Sequence, residues 1–261
     1  MKSTNYSILN YLKDRGGHIP DSSFTQWHLK LKYEVLDNLL DRYLFDRCSF
    51  IDIACGDGDA LVLADKYKRG VDLWGVDIDV DSLKRAKSRV EGATLSSGDM
   101  LNMEFLPENK FDILHEFGAT FFFNDWRPLI QQYFRLTKRN GLILWEIPQR
   151  WSTAHIMYLM SIAPKLSDND TKIERLIRSF SPTKYTYLSD EEVMACIDKS
   201  GYKYEIVEKV PIWYFYCMGA FRVFLDYISK ITGDGIFYTM DKYNKIVMPQ
   251  LSGYYLVIRK L

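Results

Sequence analysis

What the chain has little of narrows its class first. No stretch reaches the run of about 18 apolar residues that a membrane-spanning helix needs. The opening segment, "MKSTNYSILNYLKDRGG", has no apolar core of the kind a secretion signal carries. Charge of one sign is missing as well: 34 lysines and arginines balance 34 aspartates and glutamates. That balance argues against a broad nucleic-acid footprint. Cysteine is sparse; Cys48, Cys55, Cys196 and Cys217 are scattered with no CxxC pair, as expected of reduced thiols in a cytoplasmic protein. Asn5-Tyr6-Ser7 and Asn169-Asp170-Thr171 fit the glycosylation pattern, but without a secretion signal both read as chance. No GxxxxGK run is present, which excludes a P-loop. Aromatic residues, in contrast, are abundant at 15% of the chain, with eighteen tyrosines.

Hydrophobic rhythm divides what is there. From Tyr6 to about Tyr43 the spacing is helical, with Trp27, Leu31, Val35, Leu39 and Leu40 as the apolar stripe. Gly16-Gly17 and Pro20 split this helical cap, residues 1–45, into two pieces. Beyond it, short apolar runs alternate with amphipathic ones. "SFIDIA", "DLWGVDID", "ATLSSGDM", "KFDILHEF" and "LILWEIP" read as strands. "ALVLADKYKRG", "VDSLKRAKSRV" and "RPLIQQYFRLTKRNG" read as helices, and the basic clusters in the first two as solvated faces. Such alternation implies a parallel sheet covered on both faces, with ligands at the carboxyl ends of its strands. "LSDEEVMACIDKSGY" adds a helix with Ser189 as N-cap and Glu192 in the capping-box position, and "KYEIVEKV" and "GYYLVIRKL" add two strands. The expected fold is α/β: a Rossmann-like, seven-stranded, mostly parallel sheet. It fills residues 46–261, with helical lid insertions at about 149–187 and 211–250.

The stretch "FIDIACGDGDA", Phe50 to Ala60, carries the chemistry. A dinucleotide loop of the GxGxxG type needs a third glycine, and Leu61 stands there. The stretch resembles instead the first motif of class I S-adenosylmethionine-dependent methyltransferases. The resemblance continues through "LWGVDID", "LSSGDM", "FDILHEF" and "LTKRNGLILWEIP", closely over residues 48 to 148. It runs more loosely over 188–210 and 253–261. One departure is Ala54, where many members have glycine. The resemblance implies S-adenosyl-L-methionine as cofactor and S-adenosyl-L-homocysteine as product. Asp77 would hold the ribose diol and Asp99 the adenine amino group, with the Met100 side chain against the ring and Ile78 a further cofactor-binding residue. Gly56 and Gly58 would let backbone N–H groups approach without a Cβ, and Asp52 and Glu116 would steady the loop or the ligand's ammonium. The helix N-terminus after the loop would favour the methionine carboxylate.

Methyl transfer asks the protein mainly to align the acceptor and, for a hydroxyl, to take its proton. His115 and Glu116, at the end of the fourth strand, and His155, in the first insertion, are the candidate bases; each also has an ordinary structural reading. Phe121, Phe122, Phe123, Trp126, Trp151 and the Trp213–Tyr216 run lie in or beside the segments expected to roof the pocket. Core packing accounts for about half of them. The expected partner is a small-molecule methyl acceptor, modified at oxygen or nitrogen, on a natural-product or sugar-like scaffold. Neither nucleic acid, membrane nor metal is expected, and a homo-oligomer stays open. An RNA or protein methyltransferase, or a non-catalytic cofactor-binding subunit, are the alternatives.

Overall fold

The computed structural model describes residues 7–19, 23–67, 69–148, 186, 188–212 and 253–261. Two helices come first, α1 (Ile8–Asp14) and α2 (Ser23–Tyr43). The alternating part follows as β1 (Ser49–Ile53), α3 (Asp59–Asp65), β2 (Asp72–Asp77), α4 (Val80–Arg89), β3 (Thr94–Ser97) and β4 (Phe111–Glu116). After a 3-10 turn at Thr120–Phe122 come α5 (Arg127–Leu136) and β5 (Thr137–Ile147). Then follow α6 (Asp190–Asp198), β6 (Tyr204–Ile212) and β7 (Gly253–Lys260). The seven strands form one sheet in the order β3-β2-β1-β4-β5-β7-β6. Pairings from β3 to β5 are parallel, and β7 runs antiparallel to both neighbours.

Alternation along the strands builds a core on each face. Phe50, Ile113, Leu142, Leu144 and Val257 face a cluster completed by α1 to α3. Ile51, Ile53, Leu114, Ile143 and Trp145 face one completed by α5 and α6. β1 is buried at every position, as a central parallel strand must be, whereas β3 at the edge is only partly covered. The strand order reverses between β1 and β4, so the crevice at their carboxyl ends is the natural ligand position. Ser189 forms the anticipated capping box with Glu192.

Three local expectations need correction. The buried stripe of α2 is Tyr33, Leu36, Leu39 and Leu40, whereas Leu31 and Val35 are only half-buried; the side chain of Trp27 lies outside the described residues. The helix thus presents a face rotated toward Tyr33. Next, "TKRN" is not helical. β5 already pairs at Thr137 with Phe111, and an irregularity between Phe111 and Ile113 takes up the extra residues, with Asn140 at φ 64°. Finally, the basic face of α4 is not wholly solvated. Arg89 is buried, donating to the carbonyls of Arg15 (2.8 Å) and Asp57 (2.6 Å) and to the Asp59 carboxylate (2.6 Å). It pins the loop between β1 and α3 to the end of α1. Of the expected roof aromatics, Phe121, Phe122, Phe123 and Trp126 are described, whereas Trp151, the Trp213–Tyr216 run and the lid insertions, apart from Thr186, Pro211 and Ile212, lie outside the described residues.

Arg89→Ala would leave two carbonyls and a carboxylate short of a donor in a largely dry place. It is expected to lower the unfolding free energy by about 2–4 kcal/mol in urea titration. Lysine should recover only part of this, since one ammonium cannot reach all three acceptors.

Candidate active site

The turn from β1 into α3 starts from the sequence Ala54-Cys55-Gly56-Asp57-Gly58. Ala54 (φ 56°), Gly56 (φ 51°) and Gly58 (φ 81°) all adopt left-handed backbone. Glycine takes this conformation freely, while alanine costs about 1–2 kcal/mol. That accounts for the glycine that resembling sequences carry at Ala54. A Cβ on Gly58 would sit 3.0 Å from Ala86 of α4, so this glycine also permits close helix packing. A Cβ on Gly56 would meet nothing within 4 Å; its backbone faces open space. The Gly56 N–H donates to Asp77 Oδ2 (2.7 Å), and Asp77 Oδ1 accepts from Asp79 N (2.8 Å). The carboxylate at the end of β2 is thereby fixed beside the loop.

Two recesses open at the carboxyl ends of these strands, one on each side of Ala54 and Phe117. The first, about 320 Å³, is lined by Val76, Asp77, Ile78, Gly98, Asp99 and Met100 and by the 117–123 turn. Ile78 is 74% exposed at its lip, whereas Met100 is buried. Asp99 Oδ1 caps the next turn by accepting from Leu101 N (2.9 Å). The second recess, about 250 Å³, lies between α2, the glycine loop and the end of β4. Asp52 and His115 line it, with Lys32 and Tyr33 from α2 and Asp57 and Asp59 from the loop. The structure thus brings Asp77, Ile78, Asp99 and Met100 together in one recess, and Asp52, Gly56 and His115 in the other.

Both buried groups at the end of β4 are engaged. Asp52 and His115 are register partners, and His115 Nδ1 lies 2.6 Å from Asp52 Oδ1. His115 Nε2 lies 2.9 Å from the Tyr255 hydroxyl, so both ring nitrogens have partners. Glu116 points to the opposite face, where it is fully buried. It accepts from Ala119 N (2.7 Å), Thr120 N (3.1 Å) and Thr120 Oγ1 (2.5 Å), and so shapes the turn that walls the first recess. Burial, and then the nearby Glu146 carboxylate, push its pKa up to about 8. Trp126 is core, edge-on to Trp145 at 5.5 Å, while Phe122 stands 57% exposed at the recess. His155 lies outside the described residues.

Sequence reasoning missed Lys32, Tyr33, Asp59, Arg89 and Phe117. Tyr33 donates to Asp59, which also takes the Arg89 bond, so α2 and α4 both grip the first residue of α3. One signal was available: Lys32 sits within the spacing Leu29, Tyr33, Leu36, Leu40, on the inward side of α2.

Residues 50–141 match the model of a methyltransferase domain. The chain therefore carries a methyltransferase domain, its matched part running from β1 into β5. No curated protein matches the sequence. Among solved structures, the chain is similar to a putative sarcosine dimethylglycine methyltransferase from Galdieria sulphuraria, at 14% identity over 98% of each chain (TM-score 0.59). It is also similar to an S-adenosylmethionine-dependent methyltransferase from Mesorhizobium loti, at 15% identity over 88% of this chain and 97% of that one (TM-score 0.56). At these identities the likeness is one of fold. Among the described residues, no helix is long and apolar enough to cross a membrane, and no group of three or more His, Cys, Asp or Glu is placed to hold a metal ion.

Glu116 generates a pH test. Its folded pKa stands above the ordinary 4.5, so the folded state keeps a proton that the unfolded chain releases. That contribution to stability is fully present below about pH 4.5 and is lost as pH rises through about 8. The expected slope is at most about 1.4 kcal/mol per pH unit for one proton. Glu116→Gln should fold and flatten the slope across this window, measured by urea unfolding at a series of pH values.

Proposed function

We propose that the methyltransferase transfers a methyl group from S-adenosylmethionine to oxygen or nitrogen of a small molecule in the cytoplasm. The observation that carries this reading is the pair of recesses meeting at Ala54 and Phe117. A nucleoside fits the first: Asp77 would accept from the ribose hydroxyls, Asp99 from the adenine amino group, and Met100 and Ile78 would cover the ring. The Gly56 backbone, open on its ligand side, would let the chain beyond the ribose cross the loop into the second recess. The residues present therefore fit the donor. When bound, it supplies a methyl group already activated on a sulfonium centre.

What this chain's residues add is alignment. Phe117 stands between the recesses and would pack beside the transfer line. Asp52 and His115 floor the second recess and hold each other in place. Because both His115 nitrogens are engaged and Glu116 is enclosed by its own turn, an acceptor arriving with a lone pair, such as a neutral amine, suits the site best. For a hydroxyl acceptor, the Asp52–His115 pair on the floor of the recess would take the proton. Neutral net charge and the exposed Phe122 at the recess mouth support a small, partly apolar acceptor over a nucleic acid.

Calorimetric titration tests the donor half. Wild type should bind S-adenosylmethionine and S-adenosylhomocysteine, and Asp77→Ala should weaken both by at least about 10-fold, the worth of one charge-assisted hydrogen bond or more. Unchanged affinity in Asp77→Ala would contradict the placement of the ribose. Turnover across an acceptor panel of amines, phenols and sugars then tests the acceptor half.

A further inference from the structure

Lys32 is the charged side chain of the second recess that the protein itself leaves uncommitted. Its Nζ lies 3.8 Å from the centroid of the Phe117 ring and 5.1 Å from that of Tyr33. Among the described residues it has no ion pair or hydrogen bond. The carboxylates lining the same recess are all taken: Asp52 by His115, Asp57 by Arg85 (3.0 Å), and Asp59 by Arg89 and Tyr33. Among the described residues, Lys32 is also the one lysine or arginine in that lining. Burial holds its pKa below the ordinary lysine value, even with Asp59, Glu146, Asp52 and Glu116 near enough to oppose the shift. A half-buried ammonium paired only with ring faces is electrostatically incomplete. The missing partner is an anion within the recess.

The glycine loop makes the same demand from the other side. A carboxylate reaching the loop would ordinarily sit at the N-terminus of the following helix. Here Asp59, at the first position of α3 and paired with Arg89 and Tyr33, already occupies that end. A carboxylate in this recess therefore needs a partner other than the helix end, and Lys32 of α2 lines the same recess. We propose that Lys32 is the positioning residue that receives the carboxylate of the donor's amino-acid end, resting on the donor reading given above. An N-terminal helix outside the residues 50–141 that match the domain model then completes the donor site. The charge of Lys32 is neutralised by this contact, which keeps it from opposing the sulfonium nearby.

Two ligands separate the contributions. S-adenosylhomocysteine carries the amino-acid end; methylthioadenosine has the same nucleoside and thioether without it. Lys32→Met keeps the apolar stem against Phe117 and removes the charge. By calorimetry, the variant should bind S-adenosylhomocysteine about 10- to 100-fold more weakly than wild type. Its affinity for methylthioadenosine should be unchanged, which also certifies its fold. Lys32→Arg should restore most of the loss. Equal weakening for both ligands would mean that Lys32 only shapes the recess, and overturns the assignment. No weakening for either overturns it too, and leaves Lys32 to an acidic group on the acceptor. Wild type that binds neither ligand would overturn the donor reading and this assignment with it.

Discussion

The turn from β1 into α3 is the constraint on which the rest of the structure depends. Three of its residues lie in left-handed backbone, which Gly56 and Gly58 adopt freely and Ala54 holds only at a cost. Support comes from every side. Asp77 holds the Gly56 N–H, Arg89 holds the Asp57 carbonyl, and Tyr33 and Arg89 together hold Asp59. Each of those residues belongs to a different element, β2, α4 or α2. The ligand-facing loop is therefore set by the packing of the whole amino-terminal half rather than by local propensity.

That arrangement explains why the site has two chemical characters. On the β2–β3 side the walls are apolar with two rim carboxylates, suited to a flat base and a diol. On the α2 side, buried charges crowd together, and most are neutralised by one another. The Asp52–His115–Tyr255 chain runs across three strands of the sheet and fixes the floor of that side without using solvent. Glu116 does comparable work on the opposite face, anchoring the 118–120 turn. The end of β4 thus sends consecutive side chains to opposite faces, one toward each structural task, as strand geometry requires.

Much of this was legible in the sequence. Runs such as "SFIDIA" and "LILWEI" are apolar on both faces because their strands are covered on both, and their order fixes the sheet. The glycine loop and the aspartates ending β2 and following β3 were readable because local spacing and backbone geometry define them. What escaped notice depends on contacts distant along the chain. Arg89 looked like one more cation of a solvated helix, yet its partners are 30 and 74 residues away. Lys32 is unremarkable until Phe117 lies beneath its ammonium. Tyr33 takes the buried side of α2 in place of Leu31 and Val35 because its hydroxyl finds a partner in Asp59 of α3, a contact no local spacing displays.

The central claim is that a single ligand spans both recesses, crossing the glycine loop between Ala54 and Phe117. A crystal structure of the protein with S-adenosylhomocysteine tests it most directly. The account predicts the ribose hydroxyls on Asp77, the adenine between Ile78 and Met100, and the amino-acid end in the recess with Lys32. A nucleoside bound elsewhere, or an amino-acid end pointing away from α2, would contradict it.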